Sequence, residues 1–284
     1  MPVADAAVAA IASFAARCTV DGLPAELLAA HRRALRAAVE ALTAGDQDEP
    51  ALEAAIAGAG RALGVAGRPS GVLDAFSLGC RLAASGRSPV GPEEVPVGLL
   101  GLGAGLGAAR SAPRATADDL LAAVVAGTEV QARLARIAAR AGERGKRWRL
   151  DQLLSYFGAA VTAARVLGLD EAATESAVGL ALTVASGSVQ GLATTTPLGW
   201  LGGGLACAGG VWAALQAEAG IGARYGALFA PFGLFPLYFG VEEDGGELAG
   251  LGSAFSAFGE PGGGDEGGPP IAAPAALRAA LLGG

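Results

Sequence analysis

Arginine side chains recur every three or four residues near the middle of the chain, at Arg133, Arg136, Arg140 and Arg144, and Arg149 follows them. This spacing places the first four on one face of a helix. Planar guanidinium groups bind carboxylate and phosphate with two hydrogen bonds, so such a row can form an anion site. A solvated face that complements the negative end of a helix dipole accounts for the same pattern. We favour the solvated face, with Arg149 as the exception.

Groups that accept protons near neutral pH are scarce, because His31 is the only histidine and Lys146 the only lysine. A Ser-His-Asp triad would have to use His31, whose place on the inner side of an apolar helical pattern favours a structural role. The cysteines Cys18, Cys80 and Cys207 lie far apart and form no C-x-x-C pair, which argues against a zinc site or a disulfide framework. We therefore expect no metal and no cofactor, and a reducing cytoplasm as the location.

Gly103, Gly105 and Ala108 match the G-x-G-x-x-A pattern of dinucleotide-binding loops. Such a loop needs a preceding strand and an acidic residue about 20 positions further on. Asp118 and Asp119 come too early, and the chain shows no alternation of strands and helices. We expect these small residues to serve helix packing instead.

Composition restricts the class of protein. The 284 residues are 52% hydrophobic and 17% charged with a net charge of −7, which argues against a disordered chain and against a nucleic-acid binder. The run from Ser176 to Ala217 carries no charge, but it is rich in small residues and its flanks are acidic. We expect a buried helical hairpin there and no membrane span. The first residues lack a basic stretch ahead of an apolar run, so we expect no secretory signal.

Apolar residues recur with the helical period throughout, and Thr116 ahead of two aspartates is a good N-cap for the strongest helix. The pattern predicts helices over residues 6–15, 27–42, 51–63, 71–82, 97–110, 151–167, 171–189, 199–219 and 222–230, and the helix after Thr116 is predicted to continue past Arg140. The aromatic-rich stretch 225–239 is expected in a core or an interface. We divide the chain into a helical domain over 1–244, a Gly/Pro-rich linker over 245–270 and a short C-terminal helix over 271–284.

Three segments resemble the MmgE/PrpD family in the order in which they occur: AVVAGTEVQARL (123–134), FGAAVTAARVLGLD (157–170) and AVGLALTVASG (177–187). Residues 23–45 are similar to the second helix of that family. The family includes 2-methylcitrate dehydratase, cis-aconitate decarboxylase and related lyases and epimerases. The resemblance implies an all-α domain that is usually followed by an α+β lid. This chain stops where the lid would begin, so we expect the MmgE/PrpD-type helical domain without it.

The residues that carry the chemistry of the family are replaced here. Where the family has an acidic D-F-D-D-x-H string, this chain has residues 82–87 without a carboxylate, and its R-G-x-H-P-T motif corresponds to 144–151 without a histidine. Glycines within 199–204 stand at the lysine and histidine positions of a third motif. Dehydration or decarboxylation of a polycarboxylate needs proton donors and cationic groups. We therefore expect no ordinary 2-methylcitrate dehydratase.

Several functional interpretations stay open. The first is an isomerase or cyclase of bacterial specialised metabolism that holds a hydrophobic small molecule in an apolar pocket, bordered by Trp200 and residues 149–156, and acts through proximity. The second is a catalytically inactive relative that works as an oligomeric binding or scaffold protein. The third is a lyase with relocated catalytic residues. We expect a homodimer with a small-molecule substrate, and neither nucleic acid nor membrane as a partner.

The first interpretation assigns catalytic roles to three residues and substrate binding to six others. The catalytic candidates are Arg149, Asp151 and Tyr156. The candidates for substrate binding are Ser85, Arg87, Thr194, Thr195, Thr196 and Trp200.

Overall fold

The computed structural model describes residues 6–43, 50–65, 70–85, 99–190 and 198–255, which form helices joined by turns. The α-helices are α1 (Ala6–Arg17), α2 (Ala25–Thr43), α3 (Pro50–Ala62), α4 (Gly71–Ala84), α5 (Leu99–Ala109), α6 (Ala117–Ala139), α7 (Leu150–Leu153), α8 (Ser155–Leu167), α9 (Glu171–Val184) and α10 (Leu198–Glu218). Short 3-10 turns lie at Val20–Gly22 and Gly142–Arg147, and a π-type turn at Phe235–Phe239. Within these ranges no residue belongs to a strand, and Trp148 and Ser188 form one isolated bridge. The predicted all-α fold is confirmed.

Helix α6 begins where the sequence predicts. The Thr116 hydroxyl accepts a hydrogen bond from the Asp119 amide at 3.1 Å, and the Asp119 carboxylate accepts from the Thr116 amide at 3.0 Å. This reciprocal capping box satisfies amides that the first helical turn leaves without partners. From Leu121 to Ala135 every residue of the helix is buried, so α6 runs through the interior.

Helices α6 and α8 touch through glycine. A Cβ atom at Gly127 would lie 2.4 Å from the Gly158 carbonyl oxygen, closer than real side chains approach. Helix α8 also packs on α5, α9 and α10, and its residues 155–164 are all buried. It ends at Gly168, whose φ of 69° is the left-handed conformation that glycine adopts without strain.

Helices α4 and α5 meet in the same way as α6 and α8. A Cβ atom added at Gly71 would lie 2.4 Å from the Gly107 carbonyl oxygen. One added at Gly103 would lie 3.3 Å from the Gly79 amide nitrogen. The G-x-G-x-x-A stretch is therefore part of a helix–helix contact, as the sequence predicts. Small residues explain how so many helices pack closely in a chain with few large side chains.

The uncharged run includes α9 from Ser176 onward and α10 up to Ala217, and these two helices pack on each other. Its residues 191–197 lie outside the described ranges. Among the residues that the structure describes, no helix is long and apolar enough to cross a membrane.

The predicted helix over 222–230 is wrong. Gly226 has a φ of 77° and Pro231 follows, so the chain makes turns there before the π-type turn at Phe235–Phe239. Helix α9 also stops at Val184 and not at 189. The apolar spacing continues beyond both ends, which is why the sequence pattern suggested longer helices.

Candidate functional site

Arg149 and Asp151 form an ion pair where the chain enters α7. The Arg149 guanidinium donates from Nη2 to Asp151 Oδ2 at 2.5 Å and from Nε to Oδ1 at 3.4 Å. Its remaining nitrogen, Nη1, donates to the Gly199 carbonyl at 3.2 Å, which connects the pair to the start of α10. The two side chains are 13% and 25% exposed. The pair is therefore shielded from most of the solvent but still reached by it.

Tyr156 lies one helical turn further on, in the first turn of α8, and is buried. Its hydroxyl is 3.4 Å from Ser186 Oγ, and the side-chain amide of Gln152 hydrogen-bonds to it. Burial raises the pKa of the Tyr156 phenol above its ordinary value, and these two hydrogen bonds oppose that effect only in part. The phenol is neutral at neutral pH and can donate a hydrogen bond. Ser186 is exposed, whereas Tyr156 is only 3% exposed.

A second layer of polar side chains holds α7 in place. The Ser155 hydroxyl donates to the Asp151 carbonyl, and Gln131 Nε2 donates to Ser155 Oγ at 2.9 Å. Gln131 comes from the middle of α6 and is buried. We call Arg149, Asp151, Gln152, Tyr156 and Ser186 the α7 cluster. The sequence predicts three of its members, but Gln152 and Ser186, like the supporting Gln131 and Ser155, belong to no pattern that marks them.

Two of the other predicted binding residues, Trp200 and Ser85, lie in the described part of the chain and make contacts outside this cluster. Trp200 is half-buried against the apolar group around Leu52, Phe76 and Cys80, on the side of α3 and α4. The Ser85 hydroxyl donates to the Leu82 carbonyl at 2.6 Å at the end of α4. Arg87, Thr194, Thr195 and Thr196 lie outside the described residues.

Most glycines of α10 lie at close contacts with neighbouring helices. A Cβ atom added at Gly203 would lie 2.9 Å from the Gly79 carbonyl oxygen, and one added at Gly210 would lie 2.6 Å from the Ala160 amide nitrogen. At Gly202 the added atom would meet the side-chain amide of Gln152 at 2.2 Å, whereas at Gly199 it would meet nothing within 4 Å. Close packing therefore disfavours a larger side chain at Gly202, Gly203 and Gly210 but not at Gly199. The apolar pocket beside Trp200 stays a prediction, and a cavity of about 600 Å³ lies elsewhere, between α4 and α5.

The arginine row that starts in α6 is a solvated face only in part, because Arg140 and Arg144 are exposed whereas Arg133 is buried. Arg133 is 4% exposed, and it donates from Nε to Glu129 at 2.8 Å and from its other nitrogens to the carbonyls of Glu247, Gly250 and Ala254. Arg140 donates to the Glu243 carbonyl at 3.0 Å, and Arg144 donates to the carbonyls of Leu237 and Tyr238 at 2.6 and 2.9 Å. The row holds residues 237–255 against the helical domain. The sequence indicates the ion pair of Arg133 through Glu129, which lies four residues earlier on the same helix face.

His31 and the cysteines are structural. His31 Nδ1 donates to the Leu27 carbonyl at 2.9 Å, and burial lowers the pKa of its imidazole from 6.5 to about 4. Burial raises the pKa of the Cys18 and Cys80 thiols to about 11 and about 12, and that of Cys207 also rises, so none is activated as a nucleophile. Across the described ranges, no three His, Cys, Asp or Glu side chains come together in a way that could hold a metal ion.

Comparison with protein-family models gives a match over the middle and later part of the chain. The family model described as the MmgE/PrpD N-terminal domain matches residues 94–245, which is more than half of the chain. No curated protein matches.

Proposed function

Because the chain belongs to the MmgE/PrpD family, we propose that it is a divergent member that rearranges a largely apolar small molecule, as an isomerase or cyclase, at the α7 cluster. The observation that carries this proposal is the Arg149–Asp151 pair. The pair is shielded from most of the solvent, and Gln152, the residue after Asp151, hydrogen-bonds to the neutral Tyr156 phenol.

The charge of the cluster argues for a substrate without several carboxylates. Arg149 has all three guanidinium nitrogens engaged, two by Asp151 and one by the Gly199 carbonyl. Its positive charge is therefore balanced before any ligand arrives. A di- or tricarboxylate would add negative charge next to Asp151 without gaining a free cation. Turnover of 2-methylcitrate or cis-aconitate is accordingly not expected.

The same groups suit a reaction that needs orientation and the movement of one proton within the substrate. The Tyr156 hydroxyl donates a hydrogen bond to a substrate oxygen. The Asp151 carboxylate, held in place by Arg149, accepts a proton from one position of the substrate and returns it at another, so that substrate and product have the same mass. Gln152 and Ser186 provide further hydrogen bonds. A rearrangement of this kind gains most from holding two parts of one molecule in the reactive geometry.

The mass of the product distinguishes the candidate reaction classes. Purified full chain is incubated with a small-molecule extract of cells that carry the gene, and the mixture is followed by liquid chromatography and mass spectrometry. We expect one apolar compound to be replaced by an isomer of the same mass. A product lighter by one water or one carbon dioxide would overturn the proposal in favour of a lyase. An extract with no compound consumed would overturn it in favour of a non-catalytic protein.

Two variants assign the activity to the cluster. Asp151→Asn removes the proton acceptor and Tyr156→Phe removes the phenol, and each is expected to slow turnover about 100-fold or more. Arg147→Ala is the matched control, because Arg147 is an exposed arginine two residues before Arg149. Equal rates in all three variants and the parent chain would place the reaction elsewhere.

A specific observation favours a second candidate, a homodimer that binds through α10. Leu205 and Trp212 are 43% and 36% exposed and lie seven residues apart, on one face of a helix that is uncharged up to Ala217. Light scattering coupled to size-exclusion chromatography measures the mass of the parent chain and of a Leu205→Ser, Trp212→Ser double variant. A dimeric parent with a monomeric variant supports this candidate, and a monomeric parent rules it out.

A further inference from the structure

A wide-open surface cavity of about 600 Å³ lies between α4 and α5 and shares no lining residue with the α7 cluster. Neither the family match nor the proposed function assigns it a role. Its volume falls within the range of small-molecule sites, roughly 300–1,000 Å³. We call it the α4–α5 cavity. Its lining consists of Asp74, Ser77, Leu78, Leu106, Ala109, Arg110 and Pro113.

The cavity owes its shape to the glycine contacts between the two helices. At Gly107 an added Cβ would lie 2.5 Å from the Gly71 carbonyl oxygen and 2.7 Å from Ala75 Cβ, so the backbones are in direct contact. Larger side chains on one flank of this contact form the walls. Leu106 is 39% exposed there and provides an apolar wall at the cavity opening.

The polar part of the cavity is the Asp74–Arg110 ion pair, in which one carboxylate oxygen and one guanidinium nitrogen do not take part in the pairing. Arg110 donates from Nε to Asp74 Oδ2 at 2.8 Å, and its Nη2 lies 2.6 Å from the same oxygen. Both contacts of Arg110 therefore go to one carboxylate oxygen. Asp74 Oδ1 and Arg110 Nη1 make no hydrogen bond within the described part of the chain, and the side chains are 34% and 53% exposed.

Such a pair discriminates between ligands by charge. A carboxylic acid alone would approach Arg110 but would also meet the negative charge of Asp74. An amine alone would meet the positive charge of Arg110. A ligand that carries an ammonium and a carboxylate next to each other satisfies both free groups at once.

We propose that the α4–α5 cavity binds a zwitterionic α-amino acid with an apolar side chain. The carboxylate of the ligand accepts a hydrogen bond from Arg110 Nη1, and its ammonium group donates to Asp74 Oδ1. The apolar side chain lies against Leu78, Leu106 and Pro113. The site is independent of the α7 cluster and does not depend on the reaction proposed there.

Three related probes test the charge requirement on the full chain. L-phenylalanine has both charged groups, 3-phenylpropionate has only the carboxylate, and 2-phenylethylamine has only the ammonium. Isothermal titration calorimetry or ligand-detected NMR is expected to show binding of L-phenylalanine and binding about tenfold weaker or absent for the other two. Equal binding of all three would reduce the cavity to an apolar surface and overturn the proposal, as would no binding of L-phenylalanine at millimolar concentration.

Variants locate the binding. Asp74→Asn and Arg110→Gln are each expected to weaken L-phenylalanine binding about tenfold or more. Arg114→Ala is the matched control, because Arg114 is exposed nearby and does not line the cavity. Thermal unfolding of each variant verifies that it is folded, and the pair is exposed enough that the fold should survive. Binding that is unchanged in Asp74→Asn, or lost in Asp151→Asn, would overturn the assignment to this cavity.

Discussion

His31 is the only histidine of the chain, and its imidazole is 1% exposed. Desolvation lowers its pKa from 6.5 to about 4, opposed in part by the hydrogen bond to the Leu27 carbonyl. The folded protein therefore keeps this ring neutral at neutral pH. A general base with so low a pKa in a closed interior has no access to substrate, which agrees with the structural role that the sequence pattern favours.

The pKa of His31 predicts how stability depends on pH. Between pH 6.5 and about 4 the unfolded chain binds a proton at this residue and the folded chain does not. The contribution of His31 to the free energy of unfolding is therefore constant above pH 6.5. It falls by roughly 1.4 kcal/mol per pH unit as the pH is lowered from 6.5 to about 4, and it levels off below that.

Urea unfolding of the parent chain and of His31→Gln across this window isolates the effect from that of the carboxylates. We expect the parent to lose more stability than the variant as the pH falls. Because the chain has a single histidine, its one imidazole NMR signal gives an independent reading. A signal that titrates near 6.5 in the folded protein would contradict the assignment.

Arg133 is the most consequential charged side chain of the interior. Arg133→Met removes the 2.8 Å ion pair with the Glu129 carboxylate, which is 1% exposed, and is expected to cost about 3–5 kcal/mol of unfolding free energy. Arg136→Met is the control, because Arg136 is 36% exposed and lies 3.7 Å from Glu247, so about 1 kcal/mol or less is expected. Chemical unfolding measures both. The double variant Arg133→Met, Glu129→Gln should be more stable than Arg133→Met alone, and the opposite order would show that the charge of Glu129 is not the cause.

Among the helices, α10 depends most on glycine. Gly210→Ala places a methyl group 2.5 Å from Ala159 Cβ and 2.6 Å from the Ala160 amide, neither of which can rotate away, so a loss of about 1–3 kcal/mol is expected. Gly199→Ala in the same helix meets nothing within 4 Å and is expected to be neutral or to stabilise by up to about 1 kcal/mol. Thermal or urea unfolding compares the two. If both substitutions cost the same, helix propensity and not the contact with α8 governs this helix.

Local signals explain how much of these helices the sequence predicts. The Thr116 cap, the apolar period and Gly168 fix the ends of α6 and α8, because caps and periodicity act within one or two turns. The turns over 222–230 were missed because Gly226 and Pro231 outweigh an apolar spacing that continues through them. The acceptors of Arg133 could not be foreseen, since three backbone carbonyls more than 100 residues further along the chain carry no side-chain signal.

In the candidate sites too, contacts between near neighbours can be predicted from the sequence and long-range contacts cannot. Arg149 and Asp151 are two residues apart, so their pairing is readable from the sequence. Ser186 and Gln131 reach the α7 cluster and its support only through the packing of α8 on α6 and α9. The α4–α5 cavity joins Asp74 and Arg110 across 36 positions, and the sequence indicates the glycine contact beside them but not the cavity.

At the scale of the whole molecule, the segment 237–255 packs against the helical domain. Its first part bonds to Arg144 and Arg140, and its second part, within the predicted linker over 245–270, bonds to Arg133 and buries Leu248 to 2% exposure. Phe255 lies beside Phe14 of α1, with ring centroids 6.4 Å apart. Residues 245–255 therefore pack against the helical domain although their composition is typical of a linker. Glycine supplies the positive φ of these turns, at Gly245, Gly246 and Gly252.

Two truncated chains test where the helical domain ends. A chain of residues 1–255 keeps every contact described for this segment, whereas 1–244 removes Leu248 from the core and takes three carbonyl acceptors from the buried Arg133. We expect 1–255 to unfold like the full chain and 1–244 to lose about 3 kcal/mol or more, from the lost apolar burial and the lost hydrogen bonds to a charged group. Urea unfolding measures both. In 1–244 the further change Arg133→Met should cost less than it does in the full chain, because its acceptors are already gone. Equal stability of 1–244 and 1–255 would place the end of the helical domain at residue 244. It would also show that the hydrogen bonds of Arg133 to residues 247–254 do not stabilise the fold.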